Sequence, residues 1–199
     1  MIDEAGAPRV VGIGASAGGI EALAQLLGAF TLDSAAFVIV MHLPRDRRSE
    51  LARVLSRYTV LDVDAATSGV KLLRNHVYVV PESENVTVRD GHLVFEGHGR
   101  TAHGSRNVDH FLTSLALEYG ADSVGVVLSG ANRNGTAGLA AIRAAGGSTF
   151  VQSAETARFA LMPESASVSA DHQLDPGAIG RALMTLLTST GQDASQRRL

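Results

Sequence analysis

The sequence predicts a single α/β domain on a doubly wound, mostly parallel sheet carrying an inserted antiparallel hairpin. Short Val- and Ile-rich runs near residues 9–14, 36–41, 76–80, 123–129 and 148–152 are apolar almost without a break, as strands buried on both faces are. Helical stretches intervene near 19–29, 47–57, 107–119, 135–145 and 176–188, and strand–helix alternation builds a parallel sheet. The 199 residues, 45% of them apolar, suit one domain with a sizeable core.

Taken in order, Val10-Val11-Gly12-Ile13 forms the first strand and runs into Gly14-Ala15-Ser16-Ala17-Gly18-Gly19, a tight turn that opens the first helix. The second strand, Phe37-Val38-Ile39-Val40-Met41, ends at His42-Leu43-Pro44. The segment Asn85-Val86-Thr87-Val88-Arg89-Asp90-Gly91-His92-Leu93-Val94-Phe95 holds two alternating runs around Asp-Gly, which reads as the antiparallel hairpin. Residues 97–106 are expected to be a loop. Asn107 stands at the start of the third helix, and Asn134-Gly135 reads as a turn or N-cap before the fourth. The expected boundaries are an N-terminal extension over 1–9, the domain over 10–188 and a flexible polar tail over 189–199.

Composition narrows the function. The net charge of −3 argues against a nucleic-acid partner, which calls for a basic footprint. No apolar run approaches the roughly 20 residues of a membrane span, and the acidic N-terminus lacks a signal-peptide core. The chain has no cysteine, which rules out disulfides and thiol catalysis and is compatible with the cytoplasm, the expected location.

Ligand sites in open parallel sheets lie outside the carboxyl ends of the strands. Three candidates stand there: Ser16, His42, and the loop Ser129-Gly130-Ala131-Asn132-Arg133-Asn134-Gly135. A strand ending in Gly-x-Ser-x-Gly before a helix is the geometry of a nucleophile elbow, and the helix supplies N–H groups for a developing oxyanion. A serine, a histidine and a polar orienting group on one sheet edge are what acyl transfer requires. The same letters also suit a phosphate-binding turn. The dinucleotide fingerprint is weaker, because Ala17 stands where its third glycine should be and His42 occupies the region of the ribose-binding acid. Singly, each feature has a plain structural reading; their shared edge favours catalysis. No cofactor is expected.

These residues resemble the catalytic domain of the CheB family, the chemotaxis receptor protein-glutamate methylesterases, and most closely the CheB-like domains of methylesterase–methyltransferase fusions. The resemblance runs from about Val10 to Leu187. It rests on Val11-Gly12-Ile13-Gly14-Ala15-Ser16-Ala17-Gly18-Gly19, Met41-His42-Leu43-Pro44, His76-Val77-Tyr78-Val79-Val80-Pro81, Asn107-Val108-Asp109-His110-Phe111-Leu112, Gly125-Val126-Val127-Leu128-Ser129-Gly130, Gly135-Thr136-Ala137-Gly138-Leu139 and Phe159-Ala160-Leu161-Met162-Pro163. It implies hydrolysis of glutamate methyl esters on methyl-accepting chemoreceptors or a related signalling protein, with glutamine deamidation in many members. It also implies a Ser-His-Asp triad in which Ser16 is the nucleophile and His42 the base, with oxyanion donors near Ala17 and Ala131. Members coupled to a phosphorelay carry a receiver domain. Only nine residues precede Val10, so either the chain is a domain of a longer protein or control is expected from a partner.

One departure matters most. The family's acid position holds Asn134, in Gly130-Ala131-Asn132-Arg133-Asn134-Gly135 where Gly-x-Gly-x-Asp-Gly is typical. An asparagine can accept the histidine Nδ1–H through its oxygen, or present its NH₂ and impose the wrong tautomer. In either case it lacks the charge that stabilises an imidazolium, and Arg133 nearby disfavours that cation further. The expectation is a serine carboxyl-ester hydrolase of reduced activity through a Ser-His-Asx triad. The alternative is a catalytically degenerate domain that binds a receptor or partner as a sensory module. Asp109 and, less so, Asp46 are candidate substitute acids, though both suit helix starts. Arg45, Arg47, Arg48, Arg53 and Arg57 form either a basic rim for an acidic receptor helix or a solvated face. His98, His103 and His110 match no zinc spacing, so no metal site is expected.

Overall fold

The computed structural model describes residues 8–31, 35–41, 48–80, 84–96 and 107–196, with backbone alone at 48–49 and 189–196. His42, Asp46, Arg45, Arg47, His98, His103 and the rest of the 97–106 loop lie outside the described residues.

The strands are β1 (Val10–Ala15), β2 (Ala36–Met41), β3 (Asp62–Ala65), β4 (His76–Val80), β5 (Val86–Arg89), β6 (His92–Phe95), β7 (Val124–Val127), β8 (Ser148–Gln152) and β9 (His172–Leu174). The helices are α1 (Gly19–Leu27), α2 (Arg48–Leu55), α3 (Asn107–Tyr119), α4 (Thr136–Ala144), α5 (Leu161–Ala166) and α6 (Pro176–Gln196). Among the described residues seven strands form one parallel sheet in the order β3-β4-β2-β1-β7-β8-β9, and β5 pairs with β6 as the antiparallel hairpin.

Alternation within fully buried strands sets the two layers. Phe37, Ile39 and Met41 of β2 join one core with α1, α2 and α6, and Ala36, Val38 and Val40 join the other with α3, α4, α5 and the hairpin. Each strand therefore buries both faces, which is why its sequence is apolar without a period. Gly14 of β1 leaves room for α3, since a Cβ there would collide with the Val108 side chain.

Some elements differ from the sequence expectation. β7 is Val124–Val127 rather than 123–129, although Leu128 N–H and the Ser129 carbonyl still bond to Gly14 and Ser16 at the end of β1. β3 and β9 were not expected: they are the sheet edges, short and polar (Asp62-Val63-Asp64-Ala65 and His172-Gln173-Leu174), so neither carries an apolar run. α5 is six residues long with Pro163 in its first turn, where a missing N–H is tolerated. α6 runs to Gln196, eight residues past the expected helix end at 188.

Candidate active site at the strand-order reversal

From β1 the chain moves to β2 and the β3–β4 side of the sheet, then crosses back so that β7 lies on the other flank of β1. The helices that follow β1 and β2, α1 and α2, pack on one face of the sheet and α4, which follows β7, packs on the other, the arrangement that opens a crevice at such a switch point. Ser16 follows β1 directly. Ala15 is the register partner of Met41, the last residue of β2 and the residue before His42.

The Ser16 turn is closed by Gly19 N–H donating to the Ser16 carbonyl at 2.9 Å. Its positive φ, 72°, falls at Gly18, which caps α1, so the turn places its left-handed residue two positions after the serine. A Cβ at Gly18 would come within 2.8 Å of both Arg158 Cβ and Ser129 Oγ, so that position has no room for a side chain. Ser16 is 9% exposed.

The loop after β7 docks on this turn. Ser16 N–H donates to the Ser129 carbonyl at 2.9 Å, and Ser129 Oγ donates to the Ala17 carbonyl at 2.8 Å. A Cβ at Gly130 would lie 3.1 Å from Ser16 Cβ and strike the Met162 sulfur. Gly130 N–H is spent on the Phe159 carbonyl at 2.9 Å. The N–H groups of Ala17 and Ala131 make no hydrogen bond among the described residues. Phe159, Leu161 and Ile20 are each about two-fifths exposed (40%, 39% and 38%) and leave apolar surface around the turn. The Arg158 guanidinium lies 5.9 Å from the Phe159 ring centre.

Asn134 is buried where α3 and α4 begin. Its Oδ1 accepts Asp109 N–H at 3.0 Å and its Nδ2 donates to Asn107 Oδ1 at 3.1 Å. These bonds fix the amide orientation, because the reversed amide would set oxygen against oxygen and N–H against N–H. Asp109 Oδ1 accepts the N–H groups of Gly135 and Gly138, each at 2.9 Å, and so caps α4 from the neighbouring helix. That accounts for its carboxylate structurally. Arg133 is exposed, so water screens its charge from the buried amide. Arg53 and Arg57 are exposed as well, and His110 Nε2 pairs with Glu96 at 2.8 Å. Among the described residues no cluster of three or more metal-ligating side chains occurs, and no helix is long and apolar enough to cross a membrane.

The structure thus joins Ser16, Ala17 and the Ser129–Ala131 loop directly, and seats Asn134 on the same side of β1. Gln152 was not singled out in the sequence, Asn107 was read only as a helix start, and Ser129 only as the first residue of the candidate loop. Ser129 stood inside a quoted motif, but its partner Ala17 is 112 residues away.

The CheB methylesterase family model matches residues 11–183. The chain belongs to the CheB methylesterase family. The CheB catalytic domain of Thermotoga maritima superposes with a TM-score of 0.82 at 26% identity, over 90% of this chain and 98% of that one. Among curated relatives, a protein-glutamate methylesterase/protein-glutamine glutaminase of Gluconobacter oxydans is 37% identical over 89% of this chain and 53% of its own length. One from Burkholderia thailandensis is 35% identical over 83% of this chain and 48% of its own. This CheB domain therefore spans about half the length of those relatives.

Proposed function

We propose that this CheB domain hydrolyses γ-methyl esters of glutamate side chains on a methyl-accepting receptor or related signalling protein, slowly, through Ser16, His42 and Asn134. The carrying observation is the reversal of strand order at β1, with Ser16 and His42 each following one of the paired residues Ala15 and Met41. In this reading His42 removes the Ser16 hydroxyl proton as Oγ attacks the ester carbonyl. The Ala17 and Ala131 N–H groups, without other partners among the described residues, receive the oxyanion. The tetrahedral intermediate expels methanol, which takes the proton from His42, and water then releases the glutamate carboxylate by the same steps. With a glutamine side chain the leaving group is ammonia, which suits the glutaminase activity in the relatives' names.

Asn134 sets the rate. A neutral amide orients an imidazole but does not stabilise its cation, and the equivalent change in a serine protease costs about 10⁴ in kcat. The second reading is a non-catalytic module that binds a receptor or partner. It is favoured by the commitment of Asn134 to the N-terminus of α3 and to Asn107. Methanol release from methylated receptor separates the two, with an active family member as substrate control. The esterase reading expects Asn134→Asp to raise the rate at least about tenfold and Ser16→Ala to abolish it. If wild type and both variants are silent, the binding reading takes its place; that module would hold the receptor peptide equally well after Ser16→Ala.

A further inference from the structure

Resting on the esterase reading, we propose that Ser129 is a positioning residue that aims the Ala17 N–H at the oxyanion. The peptide that carries this N–H joins Ser16 to Ala17. Its own carbonyl, that of Ser16, accepts Gly19 N–H at 2.9 Å, and the peptides on either side are both bonded to Ser129. The preceding one donates Ser16 N–H to the Ser129 carbonyl at 2.9 Å. The following one presents the Ala17 carbonyl to Ser129 Oγ at 2.8 Å. One residue therefore holds the Ser16–Ala17 unit at both ends.

The Ser129 hydroxyl is itself oriented. It accepts Phe159 N–H at 3.0 Å and turns its proton to the Ala17 carbonyl at 2.8 Å, the Phe159 carbonyl lying farther off at 3.4 Å. The Ser129 N–H donates to Gln152 Oε1 at 2.9 Å. Gln152, buried in β8, in turn donates to the Thr156 carbonyl at 3.0 Å. Ser129 is fully buried, and all its polar groups are engaged. The residue after it, Gly130, has its own N–H on the Phe159 carbonyl, so the next N–H along the loop is the proposed second donor, Ala131. The network thus ties both donors to β7, β8 and the segment leading into α5. An oxyanion hole works only when its donors are held before charge develops, and Ser129 is where the two halves meet.

The test is Ser129→Ala beside Ser129→Thr in the full chain. Backbone NMR reports the Ala17 amide shift and hydrogen exchange, and methanol release gives kcat and KM. The alanine variant is expected to stay folded, to shift the Ala17 amide and speed its exchange, and to lose about 10- to 100-fold in kcat with KM little changed. Threonine, which keeps the hydroxyl, is expected to restore both. A folded alanine variant with an unmoved Ala17 amide overturns the proposal, as does a loss of rate confined to KM or one that threonine does not restore. If the alanine variant does not fold, Ser129→Cys, with its weaker donor, takes its place: a shifted Ala17 amide with lowered kcat supports the proposal, and an unmoved amide overturns it. If wild type shows no turnover that depends on Ser16, the esterase reading fails on its own account, and the Ala17 amide comparison alone decides whether Ser129 sets that peptide.

Discussion

Asn134 serves two structures at once. Its oxygen satisfies Asp109 N–H in the first turn of α3, and its NH₂ group satisfies Asn107 Oδ1. Among the described residues the buried Asn107 Nδ2 has no hydrogen-bond partner. In Asn134→Asp the new oxygen facing Asn107 needs a donor, and rotation of the Asn107 amide supplies that Nδ2 at the expense of its own short-range bond from Val108 N–H. The activity gained by Asn134→Asp is therefore expected to shrink in the Asn107→Ala background, which a double-mutant comparison of kcat measures. Asp109 is assigned to α4. Asp109→Ala is expected to lower stability by about 1–2 kcal/mol in urea denaturation, while Asp109→Asn, which keeps Oδ1, retains turnover. A loss of turnover in Asp109→Asn at unchanged stability would instead make it the substitute acid. The serine turn was legible because glycines flank it after an apolar strand. The meaning of Asn134 was legible only in part: a sequence reports the lost charge but not the two bonds that orient the amide.

α3 carries a second buried polar atom without a partner among the described residues, the Tyr119 hydroxyl at its last turn. Burial, with a smaller contribution from Glu118, pushes this phenol from the ordinary value near 10 up to about 12. The folded protein then keeps the proton where the unfolded chain has released it, so stability falls as pH rises from 10 towards 12. Tyr119→Phe removes both the ionisation and the orphaned hydroxyl. It is expected to match or exceed wild-type stability at neutral pH and to lose part of the alkaline decline, as thermal melts at pH 7 and pH 11 would record. Of the helices only α3, Asn107–Tyr119, was legible to the residue; the others were placed within a few residues by their apolar spacing, and the six-residue α5 was too short to show one. β3 and β9 were not, because an edge strand is specified by its neighbour: Asp62–Ala65 is strand only in register with His76–Val79.

That edge also governs how one molecule meets another. β3 offers an unpaired side to solvent, and the exposed Asp62 and Asp64 keep it from pairing with a second sheet. Asp64 also holds His76 Nε2 at 2.7 Å. Asp62→Val with Asp64→Val is expected to leave turnover intact and to raise association with concentration, measured by light scattering. The sheet order could be anticipated only as parallel. Which strand flanks β1 on each side follows from packing α1, α2 and α6 on one face of the sheet and α3, α4 and α5 on the other, and no local pattern encodes it. The seat of Asn134 has an evolutionary consequence. The N-terminus of α3 asks for an acceptor and welcomes negative charge, and the neighbouring amide can turn to suit either chemistry. Asparagine and aspartate codons differ by one nucleotide. In the proposed esterase reading, a lineage can thus exchange a fast eraser of receptor methylation for a slow one, and return, in a single step that asks only the Asn107 amide to turn.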